Sequence, residues 1–132
     1  MENRLTPNVL VVDDNPLHQE LMKHLLRILG YRAVIVRSGE EAVEAISKDN
    51  FVIVLTDVAM PGMDGLETAR QIRKITGYEE PWIIAVSAMK WPNAYNECLA
   101  AGMNDYMLKP VTLDDLRNTL ARYEAPLASA TS

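Results

Sequence analysis

Apolar residues gather in five short runs along the chain, at residues 8–12, 33–36, 51–56, 82–86 and 105–108, and between the runs they recur at helical spacing. Four of the runs are apolar at nearly every position instead of alternating, the pattern of strands covered on both faces. A sandwich with one wet face per sheet does not produce that pattern. Strands joined by crossover helices are parallel and their connections right-handed. The expected class is α/β, a parallel sheet with helices on both faces.

Residue types at the ends of the periodic segments predict the helix boundaries. Asn15 caps the first, Pro16 suits its first turn and Gly30 stops it. Ser38-Gly39-Glu40-Glu41 forms a capping box for the second, and Asp64 caps a third that runs toward Gly77. A shorter helix lies between Pro92 and Gly102, and Thr112-Leu113-Asp114-Asp115 opens the last, whose Leu113, Leu116 and Leu120 share a face. Residues 1–7 read as an N-terminal extension and 8–124 as one domain. Residues 125–132 are small and polar without periodicity, and they read as a flexible tail.

Parallel strands connected in this way end at one edge of the sheet, where open α/β folds place their sites. Asp13 and Asp14 follow the first run, Asp57 the third, Ser87 the fourth and Lys109 the fifth. Carboxylates brought within a few ångströms repel one another, and uptake of a proton or cation relieves them. An oxygen-only donor set without His or Cys suits a hard ion, Mg²⁺, with Mn²⁺ expected to substitute. Metal, the Lys109 ammonium and the Ser87 hydroxyl together would neutralise the oxygens of a transferring phosphoryl group. Asp57 ends the most continuously apolar strand, hence the central one, and is the expected nucleophile. Asp13 and Asp14 would then hold the metal, and the product would be an acyl phosphate.

Composition narrows the setting. A length of 132 residues with 48% apolar and 23% charged residues fits one soluble domain. A net charge of −5, with no basic stripe, argues against nucleic-acid binding. No apolar run approaches the roughly 20 residues of a membrane span. The first eight residues lack a secretory layout and Cys98 stands alone, so a cytoplasmic chain is expected. Cys98 reads as a reduced helix side chain without a reactive role.

The acid pair Asp13-Asp14, the segment Asp57-Val58-Ala59-Met60-Pro61-Gly62-Met63-Asp64-Gly65, the pair Ser87-Ala88 and Lys109-Pro110 carry a resemblance in their order and spacing. The chain resembles, from Asn8 to about Tyr123, the receiver domain of two-component response regulators. The passage from Gly102 to Pro110 looks most like receivers of hybrid sensor histidine kinases and phosphorelays. The resemblance implies a flavodoxin-like doubly wound (βα)5 fold with a five-stranded parallel sheet in the order 2-1-3-4-5. It implies that Asp57 accepts a phosphoryl group from a histidine of a sensor histidine kinase or a histidine phosphotransfer protein. Mg²⁺ would be held by Asp14, Asp57 and the backbone carbonyl of Ala59, and by Asp13 largely through water. The Lys109-Pro110 bond would be cis. Ser87 would be the switch hydroxyl and Tyr106 the switch aromatic, together altering the face of the fourth helix, fifth strand and fifth helix. The domain would be a monomer, open to dimerisation on phosphorylation, and a signalling phosphoacceptor rather than a turnover enzyme.

Two residues bear on the lifetime of such a phosphate. Ala59 and Met89 offer no polar side chain to orient an attacking water, so slow self-dephosphorylation is expected. The first helix spreads its apolar residues over about 180°, against the roughly 100° of one core-facing stripe. Met22 or Leu26, with Met60, is expected to meet a helical histidine-containing partner, a reading weighed against burial on both sides of the helix. His18 and His24 on that helix carry little weight. A haloacid-dehalogenase-type phosphatase would have a second acid where Ala59 stands. A flavodoxin-like cofactor binder would not carry Asp13-Asp14-Asn15-Pro16 in a phosphate-cradling loop. The complete acid, hydroxyl and lysine set disfavours a degenerate receiver used only for docking.

Overall fold

The computed structural model describes residues 8–77 and 80–131, with side chains described as far as Tyr123. The expected extension at residues 1–7 lies outside the described residues. Ten elements alternate along the chain: β1 Asn8–Val12, α1 Pro16–Ile28, β2 Arg32–Val36, α2 Gly39–Lys48, β3 Ile53–Asp57, α3 Gly65–Thr76, β4 Trp82–Ser87, α4 Ala94–Ala100, β5 Asp105–Leu108 and α5 Leu113–Thr131. The strands form one parallel sheet in the order β2-β1-β3-β4-β5, with β3 in the centre as its apolar run predicts.

Period-two alternation along the strands supplies two cores. Leu10, Val12, Val54, Ile83 and Ala85 meet Ala42 and Ile46 of α2, Ala69 and Ile72 of α3 and Cys98 of α4. Val9, Val11, Ile53, Leu55, Ile84 and Val86 point to the other face, against Met22, Leu25 and Leu26 of α1 and Leu116 and Leu120 of α5. Both faces are dry, which is why the strands do not alternate in sequence. Cys98 sits buried in the first of these cores. Its thiol pKa is pushed up by burial and by Glu97, which disfavours the thiolate.

The caps follow their residues. Asn15 Oδ1 accepts from the backbone of Leu17 at 2.8 Å and Asp64 Oδ1 from Glu67 at 2.9 Å. Ser38 Oγ accepts from Glu41 N at 3.1 Å, while Glu41 Oε1 returns to Arg37 N, one residue earlier than a reciprocal box requires. The least regular start is that of α4, where Asn93 sits in the left-handed region at φ 62° and makes no side-chain cap bond. Backbone of the expected tail continues α5 to Thr131, through Pro126, against the expectation of a tail without regular structure.

Two arrangements brace the sheet edges. At the amino edge the buried Arg73 of α3 donates to the carbonyls of Gly102 at 2.8 Å and Gly77 at 3.1 Å and to Asn104 Oδ1 at 2.9 Å, which also accepts from Ile83 N at 2.8 Å. At the carboxyl edge the ladder runs one residue beyond the strands: Asp13 N donates to Val36 O, Val58 N to Val86 O and Lys109 N to Ser87 O. The residues that carry chemistry are thereby held to the sheet. Above Asp57, α3 begins so close to β3 that Gly65 N donates to Val58 O at 2.8 Å. A Cβ at Gly65 would stand 2.7 Å from Val58 Cα and overlap the Asp57 carbonyl, both backbone. Gly65→Ala is expected to lower stability by about 1–3 kcal/mol in urea unfolding, as overpacking against unyielding atoms does.

Candidate functional site

Strand register sets the site. Val12 pairs with Thr56, so the residues that follow, Asp13 and Asp57, leave the sheet side by side. Ligand oxygens of Asp13, Asp14 and Asp57 lie within 4.8 Å of one another. From two strands away, Lys109 Nζ reaches Asp13 Oδ2 at 2.9 Å and Asp57 Oδ2 at 3.4 Å, with the three side chains only 13%, 8% and 11% exposed. The Lys109-Pro110 bond is cis, as the resemblance implied. Asp13 is fixed further by Asn15 N, which donates to Oδ1 at 2.9 Å. Asp14 is exposed.

Burial is the main reason the Asp57 carboxyl lies above the ordinary aspartate pKa. The Lys109 charge opposes it, Asp13 adds to it, and hydrogen bonds from Lys109 and from the Ala59 backbone lower it. The ammonium therefore offsets only part of the desolvation of a crowded pair of acids. All donors in the cluster are hard oxygens carrying negative charge, a set that fits Mg²⁺ or Mn²⁺.

Ser87 closes β4 and is buried. Its Oγ donates to Met89 O at 2.9 Å and accepts from Met89 N at 3.2 Å, a local turn that engages the hydroxyl with the loop after β4. Tyr106 OH donates to the same Met89 carbonyl at 2.6 Å. Its ring takes the edge of Trp91 at 5.9 Å and 70°, and Trp91 Nε1 donates to Glu97 of α4 at 3.0 Å. Trp82 lies at the other end of β4 against Tyr123.

The structure brings Asp13, Asp14, Asp57 and Lys109 together and joins Ser87 and Tyr106 to each other through the Met89 carbonyl, but it corrects the partner surface. Met22, Leu26 and Met60 are buried at 7%, 0% and 8% exposure, so Leu26 and Met60 are not free to meet a partner, while Met22 reaches the surface only as part of the lining of the cavity beside Lys109. The first two turn toward the sheet with Leu25, and Met60 folds into the core under α2 and α3. Leu17, Leu21 and Ile28 are the exposed members of the wide apolar arc, at 79%, 44% and 54%. Leu21 borders a cavity of about 280 Å³ beside Lys109, lined also by Ala88, Pro110 and Val111. His18 was missed as a site residue. Its Nδ1 lies 2.7 Å from Lys109 Nζ and 3.4 Å from Asp13 Oδ2. The available signal was its place in the first turn of a helix that starts directly above the acid pair.

With this geometry in view, comparison identifies the class. Residues 9–121 match the response regulator receiver domain, and the chain belongs to that family. Its relatives include the receivers of hybrid sensor histidine kinases. It is 40% identical over 115 residues to the sensor histidine kinase RcsC of Salmonella typhi, covering 87% of this chain and 12% of the relative. It is 34% identical over 123 residues to the signal transduction histidine-protein kinase BarA of Escherichia coli K12, covering 93% and 13%. The chain thus spans about an eighth of the length of these relatives. Among solved structures, the receiver domain of sensor histidine kinase PA1611 from Pseudomonas aeruginosa PAO1, which has a magnesium ion in its active-site cleft, superposes with a TM-score of 0.82 at 35% identity, covering 89% and 97% of the two chains. No helix among the described residues is long and apolar enough to cross a membrane.

The raised Asp57 pKa has a definite consequence for stability. A carboxyl whose folded pKa exceeds its unfolded one stabilises the fold below the unfolded value near 3.8, and that contribution is lost as pH rises through the folded value. In the chelated protein at neutral pH, Asp57→Asn is expected to raise the melting temperature by a few degrees. The gain should shrink as pH falls toward 3.8, and an unchanged or lower melting temperature at neutral pH would contradict the assignment of burial as the dominant effect.

Proposed function

We propose that Asp57 is the phosphoacceptor of a phosphorelay, taking its phosphoryl group from a phosphohistidine of a sensor histidine kinase or histidine phosphotransfer protein. The observation that carries this reading is the buried Lys109 ammonium shared by Asp13 and Asp57 within a cluster of three carboxylates. An Asp57 oxygen attacks phosphorus, forming the O–P bond while the P–N bond breaks and its electron pair leaves with the imidazole. Asp13, Asp14 and Asp57, with the Ala59 carbonyl, would hold Mg²⁺, or Mn²⁺ in its place, which when bound supplies positive charge to the phosphoryl oxygens. Lys109 supplies a second, fixed positive charge at the Asp57 carboxylate. Apolar contact around the reacting pair excludes water. The exposed Leu17 and Leu21, next to the cavity beside Lys109, suit a helical histidine-bearing partner in the role first expected of Met22 and Leu26.

The output is a population shift. Oxygens of the phosphoryl group compete with Met89 O for the Ser87 hydroxyl, and once Ser87 leaves its turn the Met89 carbonyl belongs to Tyr106 alone. The loop between β4 and α4 then takes a second arrangement, altering the face of α4, β5 and α5. A bias of about 1–3 kcal/mol suffices to change partner affinity some 5- to 150-fold. The chain works as a signalling phosphoacceptor without catalytic turnover.

Two measurements test this reading. Wild-type protein with Mg²⁺ and acetyl phosphate should gain the mass of one phosphoryl group and change Trp91 fluorescence, and Asp57→Asn should do neither while keeping its fold. Undiminished labelling of that variant would sink the assignment. Because Ala59 and the 70% exposed Met89 present no polar group to a water, the purified phosphoprotein should decay over minutes or longer. Decay within seconds, followed by intact mass after donor removal, would contradict it.

A further inference from the structure

An ammonium has three N–H donors and no acceptor. Lys109 finds three partners: Asp13 Oδ2 at 2.9 Å, Asp57 Oδ2 at 3.4 Å and His18 Nδ1 at 2.7 Å. Nδ1 of His18 is therefore the acceptor in its pair, and it makes the shortest of the three contacts. Asp13 and Asp57 belong to the carboxylate cluster that a cation would engage, whereas His18 stands outside it. Among the three ammonium contacts to described residues, it is the one that does not compete with a bound cation.

The ring is placed by well-anchored backbone. Asn15 Oδ1 accepts from His18 N at 3.3 Å at the start of α1, and the next residue, Gln19, donates from Nε2 to the Asp13 carbonyl at 2.6 Å. The His18 side chain is 44% exposed and fills no part of either core. Packing does not explain its position, but its polar contacts do, the shorter to Lys109 Nζ at 2.7 Å and a longer approach to Asp13 Oδ2 at 3.4 Å. A lysine on a flexible four-carbon stem loses rotamer freedom when held, and an ammonium fixed in advance needs no reorganisation as charge develops on a transferring group.

We propose that His18 is a positioning residue for phosphoryl acceptance, its Nδ1 anchoring the Lys109 ammonium beside Asp57. The inference rests on Asp57 being the acceptor. No atom is transferred to or from the imidazole, which acts only through Lys109.

The test compares initial rates of labelling by acetyl phosphate at saturating Mg²⁺, followed by intact mass, in wild-type protein, His18→Leu and His18→Asn. His18→Leu, without an acceptor, should slow labelling by about threefold to tenfold. His18→Asn, whose Oδ1 stands near the place of Nδ1, should recover most of the rate. A second readout needs no activity: in the metal-free protein the ¹⁵N resonance of His18 Nδ1 should move on Lys109→Met and on Lys109→Gln. Equal rates in His18→Leu and wild type, a loss in His18→Asn as deep as in His18→Leu, or an unmoved Nδ1 resonance would each overturn the proposal. Failure of the wild type to label at all would overturn the phosphoacceptor reading and this inference with it. A labelled wild type with an indifferent His18→Leu overturns the inference alone.

Discussion

Two carboxylates on adjacent strand ends, held at the rim of a dry sheet and sharing one ammonium, form the constraint on which this structure turns. Asp13 and Asp57 are brought together by the β1–β3 register, which pairs Val12 with Thr56 directly before them, and each strand end is tied outward as well, Asp13 N to Val36 O of β2 and Val58 N to Val86 O of β4. Both side chains are largely withdrawn from water, and at Asp57 burial disfavours the ionised form while the Asp13 charge adds to the effect. Lys109 offsets part of this from β5, fixed there by the Lys109 N to Ser87 O bond. The site is therefore short of positive charge in its resting state. That deficit suits it to a divalent cation.

The opposite edge of the sheet is built differently. There the Arg73 guanidinium joins the ends of α3 and α4 to the starts of β4 and β5 through neutral carbonyls and one amide, with Asn104 shared between Arg73 and Ile83. Gly102 at φ 102° is pressed against the Arg73 stem, where a Cβ would stand 2.7 Å from Cγ. α3 thus begins at Gly65 over Asp57 and ends in a buried polar clamp at the far edge. Strand ends pinned on one side let the loops of the other carry the groups that must rearrange.

Much of this was legible because it is local or periodic. Apolar runs, caps and turn glycines report nearest-neighbour physics, and strand continuity alone placed β3 in the centre. The acid, serine and lysine positions followed once parallel strands implied one common edge. What failed depends on tertiary packing. A helical wheel shows how wide the apolar arc of α1 is but not which part faces the sheet, so Met22 and Leu26 were read as surface although both are core. The contact of His18 spans 91 residues to Lys109, and no pattern within α1 encodes it. The start of α4 at a left-handed Asn93 without a cap bond carries no sequence signal. The continuation of α5 was hidden because its end lacks apolar periodicity.

The Met89 carbonyl gives the proposed switch a physical form. A carbonyl has two lone pairs, so it can hold the hydroxyls of Ser87 and Tyr106 at once, and here it does. Withdrawal of one donor changes what the other experiences without any contact between the two side chains. The same loop carries Trp91, whose ring edge meets Tyr106 and whose indole N–H is held by Glu97 on α4. In the proposed switch, four specific contacts lead from the buried hydroxyl at the end of β4 to a helix surface. Each contact is a hydrogen bond or an aromatic edge that is either made or broken, and such discrete elements support two arrangements rather than a continuum.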